Sequence, residues 1–99
     1  MEALSLNPDC EIEQLFYHIA RSGINPNSNR GKIMLWFAKR GAGDYNIVEV
    51  ATGINLSVKS TRLNIVLITC TINATELKLK YALGISGKGN TAMCHYNQR

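Results

Sequence analysis

The 99-residue chain is poor in acids where chemistry would need them. Glu2, Asp9, Glu11 and Glu13 all precede residue 14, and beyond Arg21 only Asp44, Glu49 and Glu76 remain. A mechanism built on paired carboxylates has little to draw on. Cysteine is scarce as well: Cys10, Cys70 and Cys94 lie far apart with no C-x-x-C pair, which argues against a disulfide framework or a structural zinc site. Histidine occurs twice, as His18 and His95. Cys94 and His95 are adjacent, so on a strand they face opposite ways and cannot serve each other as nucleophile and base. No apolar run approaches the length of a membrane-spanning helix. The opening MEALSLNPDCEIE lacks the basic stretch and apolar run of a secretory signal. These absences predict a non-catalytic, intracellular, cytoplasmic protein with no cofactor, no metal site and no small-molecule substrate. Asn55-Leu-Ser57 and Asn73-Ala-Thr75 match the glycosylation pattern, but without a secretory route the match is accidental.

A single surplus stands against these deficits. Lys and Arg number 11 against 7 acids, a formal net charge of +4, and every one of the cations follows residue 20. With 45% hydrophobic and 18% charged residues, the chain has the composition of one folded domain covering residues 1–99. Its basic body attracts polyanions, of which nucleic acid and anionic membrane are the usual kinds.

The clearest local signal is NPDCEIEQLFYHIARSG. Asn7 is placed to cap a helix with Pro8 at its first position, and Gly23 to end it, so a helix is expected over about 8–22. Its apolar stripe is Ile12, Leu15, Phe16, Ile19 and Ala20. Residues 24–31 read as a loop rich in Asn. From there to residue 97 the sequence reads as strands joined by short turns: 32–39, 45–52, 54–60, 63–72, 77–86 and 91–97. The expected fold is α+β, one N-terminal helix followed by a five- to six-stranded antiparallel sheet, as a meander or a partly closed barrel or sandwich. Two of these segments, around Ile33–Ala38 and Ile65–Ile68, are apolar on both alternating faces. That implies cover on both sides, either from a sheet curled into a barrel or sandwich with the helix on part of its outer face or from a second copy of the chain; the homodimer is the favoured expectation.

Gly84-Ile-Ser-Gly87-Lys88-Gly-Asn90 fails as a phosphate loop, since Ala82 stands where the first glycine belongs and Gly89 where Ser or Thr must follow the lysine. It reads as a hairpin turn. The candidate nucleic-acid-binding residues are Arg30, Lys32, Lys39, Arg40, Lys59, Arg62, Lys78, Lys80 and Lys88. Lys78 and Lys80 alternate with Leu77, Leu79 and Tyr81, which on a strand sets both cations on one open face, with Thr69 and Thr71 beside them. The expected function is sequence-independent binding of RNA or single-stranded nucleic acid by a basic sheet, in the manner of viral nucleocapsid or silencing-suppressor proteins. The alternative is a homo-oligomeric structural or interaction module, peripheral at an anionic membrane in one variant.

Overall fold

The computed structural model describes residues 17–98. A helical segment at 17–21 leads through a loop to α1 (Asn29–Arg40), and then follow β1 (Gly43–Asn46), α2 (Ile47–Ile54) and α3 (Val58–Ala74). A 3-10 turn (Glu76–Leu79), β2 (Tyr81–Ser86), a second 3-10 turn (Gly89–Thr91) and β3 (Met93–Gln98) complete the chain. The sheet is three-stranded and antiparallel, in the order β1-β3-β2. Among the described residues no helix is long and apolar enough to cross a membrane.

This overturns the expected five- to six-stranded sheet. The chain is α+β with four helical segments among the described residues, and most of the segments read as strands are helices. The stretch 32–39 lies within α1. Of 45–52 only Tyr45 and Asn46 are strand, and the rest is α2. The stretches 54–60 and 63–72 become a turn and α3. Only 81–86 and the last strand remain extended. The physical reason is visible in burial. Ile47, Val50 and Ala51 are buried with Ile54 half-buried, a spacing of i, i+3, i+4 and i+7. Thr61, Ile65, Ile68 and Ile72 form the buried line of α3 at i, i+4, i+7 and i+11. The many β-branched residues of α3 mimic a strand in composition, but packing against one side decided the outcome. For the first doubly apolar segment the premise of the expected homodimer goes with the strand, since α1 is a helix whose Ile33, Met34, Trp36 and Phe37 are all buried within the domain; on the second, Val66 and Leu67 stay exposed.

The caps follow from local chemistry. Ser28 opens α1 by accepting from the Gly31 amide at 3.2 Å, and Lys39 and Arg40 sit in its last turn, where the dipole favours cations. Asn46 opens α2 by accepting from the Val48 amide at 2.8 Å. The core lies between the three helices and one sheet face. At its centre Phe37 stacks on Tyr96 with ring centroids 5.3 Å apart, and meets Trp36 edge-on. Of the expected first helix, 17–21 is helical with Ile19 fully buried and Ala20 exposed; Asn7, Pro8 and the stripe Ile12, Leu15 and Phe16 lie outside the described residues.

Candidate nucleic-acid interface

Between α2 and α3 stand only Asn55, Leu56 and Ser57, and each has a defined task. Asn55 adopts the left-handed conformation (φ 59°, ψ 48°), which ends α2. Its amide donates to the Thr52 carbonyl and the Leu56 amide to the Ala51 carbonyl at 3.0 Å, the paired bonds of a Schellman stop. Ser57 then caps α3 by accepting from the Ser60 amide at 3.1 Å, and its own carbonyl accepts from the buried Thr61 hydroxyl at 2.8 Å. The tripeptide with the form of a glycosylation signal is thus a helix stop and a helix start. A connection this short between two helices has the chain order of a helix-turn-helix.

The open side of α3 carries Lys59, Ser60, Leu63, Val66, Leu67 and Cys70, opposite its buried isoleucines. Leu63 is 61% exposed, unusual for a leucine on a helix that packs by its other side. The β2–β3 hairpin stands beside the start of this helix. The Arg62 guanidinium donates to the Gly87 carbonyl at 2.9 Å, which ties the first turns of α3 to the hairpin tip. Gly87 has φ 86°, a left-handed turn conformation that favours glycine. The Asn46 side-chain amide donates to the Asn90 carbonyl at 3.0 Å, and the Thr69 hydroxyl to the Leu83 carbonyl at 3.0 Å. The hairpin is therefore held at its tip by α3, at its loop by β1, and along β2 by α3.

The nine candidate cations do not form one surface. Lys59, Arg62 and Lys88 gather where α3 meets the hairpin, Lys59 a turn before Arg62 and Lys88 next to Gly87. Arg30 and Lys32 sit in the first turn of α1, and Lys39 and Arg40 in its last, where Arg40 lies 3.9 Å over the Trp36 ring. Lys78 is in the 3-10 turn and Lys80 just after it, so neither lies on a strand. The basic sheet face is corrected accordingly: the open face carries Asp44, Asn46, Ala82, Gly84, Ser86, Met93, His95 and Asn97, without a cation.

Lys80 instead borders a cleft of about 470 Å³ with His18, Arg21, Glu76 and Tyr81. Desolvation lowers the His18 pKa, and the nearby Lys80 and Arg21 push it the same way. Cys94 is buried under the sheet, which pushes its thiol up to about 11, although Arg62 acts in the opposite direction. His95 points to the other face, as strand alternation requires.

On that open face lies an arrangement which sequence reading missed. Asp44 Oδ1 is 2.7 Å from His95 Nδ1, and Ser86 Oγ is 2.7 Å from His95 Nε2. The strand register makes it: Asp44 pairs with His95 across β1–β3, while Ser86 is two residues beyond Gly84, the partner of His95 across β2–β3. No sequence spacing announces a contact between residues 44 and 95, because it depends on β1 pairing with β3. Among the described residues no three metal-ligating side chains gather into a metal site. No protein-family model matches the chain, and no curated protein or solved structure matches it.

Proposed function

We propose that the chain binds nucleic acid without transforming it, and that its natural form of target is duplex DNA. Helix α3 lies in the major groove while the hairpin tip grips the flanking backbone. The observation that carries this reading is the three-residue turn between α2 and α3, with Lys59, Arg62 and Lys88 drawn together by the Arg62–Gly87 bond. The order helix, strand, helix, turn, helix, hairpin is that of a winged helix-turn-helix unit, with the hairpin as the wing. That likeness is one of topology; the case for function rests on the surface.

In this pose Lys59 and Lys88 meet phosphates, which position the protein. Leu63 and Val66 touch thymine methyl groups, the apolar feature of the major groove. Duplex RNA is disfavoured, because its deep and narrow major groove does not admit a helix. The preference for RNA or single strands expected from sequence depended on a basic sheet face and is replaced here. An intracellular, reducing location belongs to the same reading, and the exposed, free Cys70 thiol fits it.

The test is an anisotropy titration of labelled duplex DNA, duplex RNA and single-stranded RNA. Two to three phosphate contacts give a log–log salt slope of about −1.8 to −2.7, so DNA binding should weaken about 10- to 40-fold between 50 and 200 mM salt. Equal binding of all three probes, or none at low salt, rejects the proposal.

A second reading is favoured by the exposed row Leu63, Val66 and Leu67. In it, the open face of α3 meets a second copy of the chain or another protein, and the cations serve solubility or hold an anionic membrane. A Leu67→Glu variant that abolishes self-association in sedimentation, in a protein that ignores DNA, would decide for it.

A further inference from the structure

The structure assigns Ser86, His95 and Asp44 to a second site, independent of the helix-turn-helix: a serine nucleophile with its base and orienting carboxylate, able to cleave small, unhindered carboxylic esters. Three features carry this.

The first is the chain of hydrogen bonds. Asp44 Oδ1 to His95 Nδ1 and His95 Nε2 to Ser86 Oγ are both 2.7 Å, the connectivity that activates a serine in acyl transfer. Asp44 accepts only, so Nδ1 of neutral His95 carries the proton and donates it. Nε2 is then a lone-pair acceptor aimed at the Ser86 hydroxyl, as a general base must be.

The second is access. The side chains of His95 and Asp44 are 47% and 68% exposed; Gly84, across from His95, is small, whereas Met93 stands across from Ser86. A shallow depression of about 620 Å³ adjoins His95, lined by Ala42, Gly43, Ala82, Gly84 and Asn97 besides Asp44. A Cβ built at Gly84, the cross-strand partner of His95, would meet nothing within 4 Å. Ser86 lies outside that lining and stands on open surface, with no deep pocket to hold a long acyl chain, so the substrate class is a small ester.

The third is the backbone after the nucleophile. Ser86 ends β2, and the chain turns at once at Gly87. The amides of Gly87 and Lys88 make no hydrogen bond among the described residues. They are the free donors next in the chain for an oxygen that gains charge in the transition state.

With p-nitrophenyl acetate as probe, Ser86 Oγ attacks the carbonyl carbon while its proton passes to His95 Nε2. The new Oγ–C bond replaces the C–O bond to p-nitrophenolate, which leaves with the electron pair and takes the proton from His95. Water then attacks the acetyl-serine and gives a proton to His95; as that proton returns to Ser86 the C–Oγ bond breaks and acetic acid leaves, losing its remaining proton to solvent. No oxidant, reductant or metal enters the balance.

The experiment pairs an alkyl fluorophosphonate with this ester. The fluorophosphonate forms an Oγ–P bond and expels fluoride, leaving a stable mass tag. The expected result is one adduct per chain, mapped to Ser86 by peptide mass spectrometry, and a burst of one p-nitrophenolate per chain. Ser86→Ala should lose both. His95→Gln should slow labelling at least about tenfold, since a positioned base contributes 10²–10⁴ in rate. Asp44→Asn, which keeps the shape, should slow it by about tenfold and shift the pH profile of labelling. A merely structural cross-strand staple would change melting temperature in these variants but leave no adduct. No adduct on Ser86, or labelling as fast in His95→Gln as in the parent at equal foldedness by circular dichroism, overturns the assignment.

Discussion

Replacing Gly53 by Ala sets two physical effects of known size against each other. Gly53 lies in the last turn of α2, and helix propensity alone says that Ala there gains up to about 1 kcal/mol. A Cβ at this position, however, would fall on the Trp36 indole nitrogen, inside any real contact distance. The indole has little freedom to retreat. Phe37 and Tyr45 each meet it edge-on with ring centroids 5.3 Å away, and the Arg40 guanidinium lies 3.9 Å over its face. Overpacking of this kind costs about 1–3 kcal/mol. The clash wins, and Gly53→Ala should be less stable by about 1–2 kcal/mol, a fall in melting temperature of about 4–8 °C per kcal/mol for a domain of this size. Thermal denaturation followed by circular dichroism measures it. In a Trp36→Phe background the offending ring is gone, and the same substitution should become neutral or stabilising, so the double-mutant cycle isolates the contact. A Gly53→Ala protein that melts at or above the parent, with no coupling to Trp36, would refute the reasoning and with it the close docking of α2 on α1 that sets where α3 lies.

Other outcomes follow from the same geometry. Lys59→Ala and Lys88→Ala should each reduce the salt slope of DNA binding by about 1, whereas Lys78→Ala with Lys80→Ala should leave the slope unchanged in the same titration. His18 has a pKa below its ordinary 6.5 in the folded chain, so as pH falls past that value the unfolded chain takes up a proton that the folded chain resists. Stability from this group is complete above about pH 6.5 and declines in acid, and His18→Gln should flatten urea midpoints measured between pH 7.5 and 5. In a Cys10→Ser variant one thiol, Cys70, should react with iodoacetamide at pH 8, while buried Cys94, its pKa raised to about 11, should wait for denaturant.

How much of this was legible in the sequence depends on which forces decided each element. The hairpin at Gly87–Asn90 was readable because its glycines impose the turn locally. The last strand, expected over 91–97 and found at Met93–Gln98, was readable because its alternation has no competing helical reading. The helices α1 and α3 were not, since IMLWFA and NIVLITCTI are dense in apolar and β-branched residues at both periods. In such stretches only tertiary packing chooses between helix and strand. The signals against strands were present in the caps: Ser28 before α1, Asn46 before α2, and the Asn55-Leu-Ser57 stop and start. Of the candidate cations, Lys59, Arg62 and Lys88 could be named from charge, but their meeting depends on a bond between residues 62 and 87. The alternation of Lys78 and Lys80 with Leu77 and Leu79 misled, because a 3-10 turn separates them from the strand that begins at Tyr81.

In the proposed function, α3 and the hairpin tip face the nucleic acid. Amide chemical shifts of the protein, followed as a duplex DNA of about two helical turns is added, test it most directly. The largest shifts are expected at residues 58–67 and 87–90, with those of the open sheet face around His95 and of the turn carrying Lys78 small. Shifts centred on the sheet face or on Lys78 and Lys80, with α3 unmoved, would contradict it.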